Sequence, residues 1–178
     1  MRTLQNHTLS LSLALLVIAG LLAFQSGTRT GAGYPVYQTA DQTSTSTTLA
    51  DSNDLKVWIN ANEKYAFQCW IPFNLGGVAS GYKFQLDLPS GVTFLIQEAN
   101  VINPTTLNLV AVRIDATVTV INGALTTAGD HSLTIQGTVQ NGSTAGFAKL
   151  QFAQNTADAV NAITLKKGGN MILTRINN

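Results

Sequence analysis

Ten residues constrain most of what this chain can fold into. In Lys64–Phe73 the side chains of Tyr65, Phe67, Cys69, Ile71 and Phe73 occupy every second position. A period of two puts them on one face of an extended strand, with Ala66, Gln68 and Trp70 on the other; a helix would scatter them around its axis. A strand with one apolar face needs a second layer to cover it. Pro72 fits near the end of such a strand or on an edge. The pattern returns in Tyr82, Phe84, Leu86 and Leu88, which stop at Pro89-Ser90-Gly91.

The rest of the body reads the same way. Leu55–Ile59 alternates and leads into a turn at Asn60–Glu63. Asn74–Ser80 is a glycine-rich loop, and Thr93–Glu98 is a short strand. Leu107–Ile114 and Ala116–Ile121 read as strands, and Asn122-Gly123 carries a hairpin-turn signal. His131–Gln140 is closed by Asn141-Gly142. Phe147–Asn155 places Ala148, Leu150 and Phe152 on one face, and Ala162–Leu165 and Met171–Ile176 complete the set. Turns recur every ~8–12 residues without an amphipathic helix, which predicts an all-β chain: an antiparallel β-sandwich, jelly-roll-like. Residues 47–178 form the expected domain.

The first 27 residues differ in kind. Leu9–Phe24 is uncharged and apolar, and no charged residue separates Arg2 from Arg29. As a helix this run reaches about 24 Å, short of the roughly 30 Å hydrocarbon core. A short positive start, an apolar stretch and small residues in Ala23–Gly27 fit a secretory signal. A membrane anchor through residues 9–24 is a second reading. An arm retained in an assembly is a third, because Leu9, Leu11 and Leu13 alternate with Ser10 and Ser12. Residues 28–46, rich in Gly, Thr, Ser and Gln, read as a linker or extended arm that Tyr34, Val36 and Tyr37 let dock on a neighbour.

Charge narrows the function classes. Charged residues make up 11% of the chain, and the net charge is +1. A typical domain carries roughly 25%. No basic stripe for nucleic acid is present; Lys166-Lys167 is the sole adjacent basic pair. A neutral surface of Thr, Asn, Gln and Ser lacks the repulsion that keeps monomers apart.

Catalysis requires converging groups, and none is visible. His131 is the single histidine of the body, beside Asp130 at a strand entry. Cys69, the one cysteine, is in phase with Phe67 and Ile71 and reads as a small buried hydrophobe. Asp51, Asp54, Glu63, Asp87, Glu98, Asp115, Asp130 and Asp158 are dispersed, and Asp51-Ser-Asn-Asp54 reads as a solvated turn rather than a calcium loop. The expectation is a non-enzymatic chain with no catalytic residue, no metal and no cofactor. Trp58 and Trp70 are each out of phase with their apolar neighbours and point away from the core face. With Tyr34 and Tyr37 they are the candidate interface residues, as anchors between subunits or as a glycan-stacking platform.

Three stretches resemble a known family. They are Thr45-Ser-Thr-Thr-Leu-Ala-Asp51 with Leu55 and Ala61-Asn-Glu-Lys-Tyr65-Ala-Phe67; Gly81-Tyr-Lys-Phe84-Gln-Leu86-Asp-Leu88-Pro89; and Gly137 through Asn141-Gly142, Ala145-Gly146, Leu150-Gln151, Ala153-Gln154-Asn155, Thr164, Gly168-Gly169 and Arg175-Ile176. This pattern is similar to a jelly-roll domain of tailed-phage virion structural proteins and related environmental sequences. It covers roughly residues 45–177, with Gly169-Asn170 where that family has Gly-Ser. The resemblance implies a trimer-forming jelly roll of head-decoration or fibre-tip type, without catalytic residues.

Two functions follow as expectations. One is a structural subunit of a virion or extracellular assembly, partnered by copies of itself and not by nucleic acid. The other is a secreted or surface-anchored module that binds a glycan or a host surface. The expected location is a virion, or the extracellular space or cell surface.

Overall fold

The computed structural model describes residues 35–103, 106–115 and 120–176, with the backbone alone at 94–100, 102–103 and 106–115. The apolar run of residues 1–27 and Tyr34 lie outside the described residues. Twelve strands follow in chain order: β1 (Val36–Tyr37), β2 (Gln42–Ser44), β3 (Ala50–Ile59), β4 (Lys64–Leu75), β5 (Tyr82–Asp87), β6 (Phe94–Asn103), β7 (Thr106–Asp115), β8 (Ile121–Gly123), β9 (Gly129–Gln140), β10 (Gly146–Ala153), β11 (Ile163–Leu165) and β12 (Asn170–Ile176).

The pairing defines the architecture. β3 pairs with β10, β4 with β9, β5 with β8 and β6 with β7, all antiparallel. Each pair encloses the next in sequence, as in one long hairpin rolled over on itself. Rolling sends alternate pairs to different layers: β3-β10-β5-β8 forms one sheet, and β4-β9-β6-β7 lies in the other. This is a jelly roll. Outside that unit, β12 extends the larger sheet beside β4, β1 pairs with β12, and β11 joins the far end of β4 to β2.

The alternating residues meet between the sheets. Tyr65, Phe67, Cys69, Ile71, Phe73 and Leu75 of β4 are all buried. They face Leu55 and Ile59 of β3, Tyr82, Phe84 and Leu86 of β5, and Ala148, Leu150 and Phe152 of β10. Phe73 crosses the interior: its ring centre lies 5.2 Å from that of Phe84 and 5.7 Å from that of Tyr82, both on the other sheet. Burying a side chain of this size contributes about 1.5–3 kcal/mol.

Four local expectations are corrected. The expected short strand 93–98 is instead the first half of the ten-residue strand β6, which starts at Phe94 and runs to Asn103. Asp51–Asp54 lies within β3 and is no turn: Gln42 donates from Nε2 to the Asp51 carbonyl (3.0 Å) and accepts from the Asn53 amide (2.9 Å), so an amide side chain stands where a neighbouring strand would. Asn122-Gly123 is not a hairpin turn but part of β8, opposite Lys83 and Tyr82. A Cβ at Gly123 would lie 2.7 Å from the Tyr82 hydroxyl, so glycine there makes room for a ring rather than a turn. Lastly, residues 36–37 and 42–44 of the expected arm are strands on the chain's own larger sheet.

Candidate interaction surfaces

Strand parity carries the outward aromatics to two opposite faces. Trp58 lies on the outer face of the smaller sheet, and Tyr37 and Trp70 lie on the outer face of the larger one. The structure therefore brings two of the expected interface residues together and separates the third.

On the larger sheet, Tyr37 is directly opposite Asn170, and Asn170 is directly opposite Trp70. Residues opposite one another in a sheet share a face. Tyr37 and Trp70 thus stand in one row, two strand spacings or about 9–10 Å apart along the sheet. They are 55% and 47% exposed. The row continues to Thr134 on β9, and Gln68 and Gln136 stand in the row beside it. Gly169 enables the sharp return into β12: a Cβ there would press on Pro72 at 3.3 Å.

On the smaller sheet, Trp58 of β3 is opposite Phe147 of β10. Their rings meet edge to face, centres 5.1 Å apart, and remain 54% and 46% exposed. Phe147 escaped the sequence reading although it carries the same signal as Trp58: it is out of phase with Ala148, Leu150 and Phe152. Nearby, Lys149 bridges Asp51 (2.9 Å) and Asp87 (3.0 Å) across three strands. The hydrogen bonds from Gln151 and Lys149 hold the Asp51 carboxyl below its usual range. Arg175 pairs with Glu63 (3.0 Å), and Lys166 with Asp41. β3 is the edge strand of its sheet. Gln42 covers its first half, while among the described residues no strand covers Lys56–Ile59 on that side.

Several titratable groups outside these faces are held by contacts within the fold. Burial pushes the Cys69 thiol up to about 12, so it is inert as a nucleophile. His131 faces inward, its ring 5.4 Å from Phe73 and its Nε2 3.1 Å from the Thr127 carbonyl, and burial lowers its pKa. Asp130 accepts a hydrogen bond from Asn74 (2.7 Å), and Asp158 caps its own loop through the Val160 and Asn161 amides. Among the described residues no three His, Cys, Asp or Glu side chains gather to hold a metal ion. A depression at the ends of β4, β9 and β12 is lined, among the described residues, by Lys64, Thr138, Val139, Gln140 and Ile176.

No protein-family model matches this chain, and no curated protein does. Among solved structures, it is similar to the VP2 subviral particle of infectious bursal disease virus, at 12% identity and a TM-score of 0.20, over 82% of this chain and 42% of that one. A structure of the Gx strain of that virus gives 12% identity and a TM-score of 0.19, again over 82% and 42%. The chain thus spans under half the length of these structures. At these scores the backbones do not superpose as a whole, and the jelly-roll assignment rests on the nested strand pairs alone.

Proposed function

We propose that this chain is a non-enzymatic structural subunit of a virion or an extracellular assembly, acting by self-association. One observation carries the reading: the Trp58–Phe147 pair, packed edge to face and half exposed beside the edge of β3 that no described strand covers. Aromatic residues on a fixed sheet lose little entropy on docking and serve as anchors. An uncovered strand edge offers backbone donors and acceptors to a second copy. The low charge of the chain leaves little repulsion between copies. The resemblance of residues 45–177 to phage virion domains agrees with this role and adds a trimer, of decoration or fibre type, as the assembly to expect.

Native mass across a concentration series tests the reading. The full chain should form a discrete oligomer, and Trp58→Ser with Phe147→Ser should shift it toward monomer. A full-length chain that stays monomeric at every concentration would sink the proposal.

A further inference from the structure

The row on the opposite face has a different chemistry. Tyr37 and Trp70 are separated by Asn170 rather than packed on each other. Around them stand Gln68, Thr134 and Gln136; Glu98 is opposite Gln136 at the end of that row, and Lys166, paired with Asp41, adjoins Pro72. The Gln68 and Asn170 amides make no hydrogen bond to another described residue, which leaves them available. A protein interface concentrates its rings in a shared apolar centre. Here the rings are spaced out along one row, with amides and hydroxyls between and beside them.

We propose that this strip binds a neutral glycan chain. The apolar C–H faces of two sugar rings would stack on Tyr37 and Trp70. Their hydroxyls would exchange hydrogen bonds with the amides of Asn170 and Gln68, which both donate and accept and so suit hydroxyl partners. A sheet row holds the two rings at a set spacing before the ligand arrives, which lowers the ordering cost of binding. Lys166, a cation beside the strip, is already held by Asp41, and Glu98 continues the Gln68–Gln136 row, so the strip disfavours phosphate, sulfate or carboxylate groups and favours an uncharged polysaccharide. The site is independent of the self-association surface, since the two lie on opposite outer faces of the sandwich.

Titration of the full chain with soluble neutral hexasaccharides of glucose and of N-acetylglucosamine, read by isothermal titration calorimetry, tests the site. Saturable binding of at least one is expected. Trp70→Ala and Tyr37→Ala should each weaken it by about tenfold or more, while Trp58→Ala leaves it unchanged. Both rings are exposed, so thermal melting should confirm that the variants fold. No binding at millimolar sugar, or binding that survives loss of both rings, overturns the proposal. Native mass measured on the same samples separates this outcome from failure of self-association.

Discussion

A Cβ on Gly142 would lie 1.8 Å from the carbonyl oxygen of Gly91, a backbone atom that cannot swing aside. The loop after β9 and the loop after β5 therefore touch main chain to main chain. Asn141 anchors the β9 side of the contact to the turn between β3 and β4: its amide nitrogen donates to Asn60 O (2.8 Å) and Thr144 O (2.8 Å), and its backbone N–H to Glu63 O (2.9 Å). Gly142→Ala should cost at least about 1–3 kcal/mol through forced displacement. Gly146→Ala meets two ring atoms of Pro89, at 3.1 and 3.4 Å, and should cost less. Urea midpoints of the two variants check the order; equal losses would show that the loops part without penalty.

The phase of β4 can be tested with two substitutions three residues apart. Phe73 is fully buried against Phe84, Tyr82 and His131. Phe73→Ala should destabilise by about 3–5 kcal/mol, from lost transfer energy and the cavity left behind. Trp70 points outward, and Trp70→Ala should stay within about 0.5 kcal/mol, as is usual for surface positions. A denaturant titration that reverses this order would place the wrong face in the core.

These two strands show what was legible in the sequence. Where an element buries one face, alternation is forced, so Tyr65 through Phe73 and Tyr82 through Leu86 declared the sandwich, and Trp58 and Trp70 declared their outward direction. Pairing was not legible in the same way. Nothing in Asn122-Gly123 tells a turn glycine from one that yields space to the Tyr82 ring, because both demands select the same residue. The separation of Trp58 from Trp70 was equally hidden: each points away from its own core face, but which sheet each strand joins depends on long-range nesting. Gln42 acting for a missing strand along β3 is a tertiary fact with no local signal.

His131 gives the protein an acid-sensitive component. Burial among apolar rings holds its pKa below the ordinary 6.5, against smaller opposing effects of the Thr127 carbonyl and Asp130. The unfolded chain then binds more protons than the folded one between the two pKa values, so stability rises with pH across that window. The contribution is complete above 6.5 and is lost as pH falls from there toward the lowered folded value. Urea midpoints measured from about pH 7.5 to about pH 5 should decline for the native sequence. His131→Gln should flatten this decline, and an unchanged slope would assign it to other groups.

Cys69 should be silent in the folded protein. Its thiol is fully buried between Phe67 and Ile71 and raised to about 12, so almost no thiolate exists near neutrality. An aromatic disulfide reagent should label it only after denaturant is added. Rapid labelling of the native protein would mean that β4 opens locally far more often than a central strand should.

Self-association through Trp58 and Phe147 should depend weakly on salt. The proposed contact is aromatic and strand-edge backbone, and the charges beside it, Lys149 bridging Asp51 and Asp87 with the exposed Lys56 opposite Lys149, balance one another within one copy. Screening at high ionic strength removes interactions between exposed charges beyond roughly 3–10 Å, and few such pairs are available to cross this interface. Raising salt from about 0.1 M to about 1 M should therefore leave the oligomer's dissociation constant within about threefold. Trp58→Ala should weaken it by about 2 kcal/mol, the cost typical of removing a central anchor. Light scattering over a salt series on both proteins decides the matter. A dissociation constant that climbs steeply with salt and ignores Trp58→Ala would move the contact away from this edge and onto charged residues elsewhere.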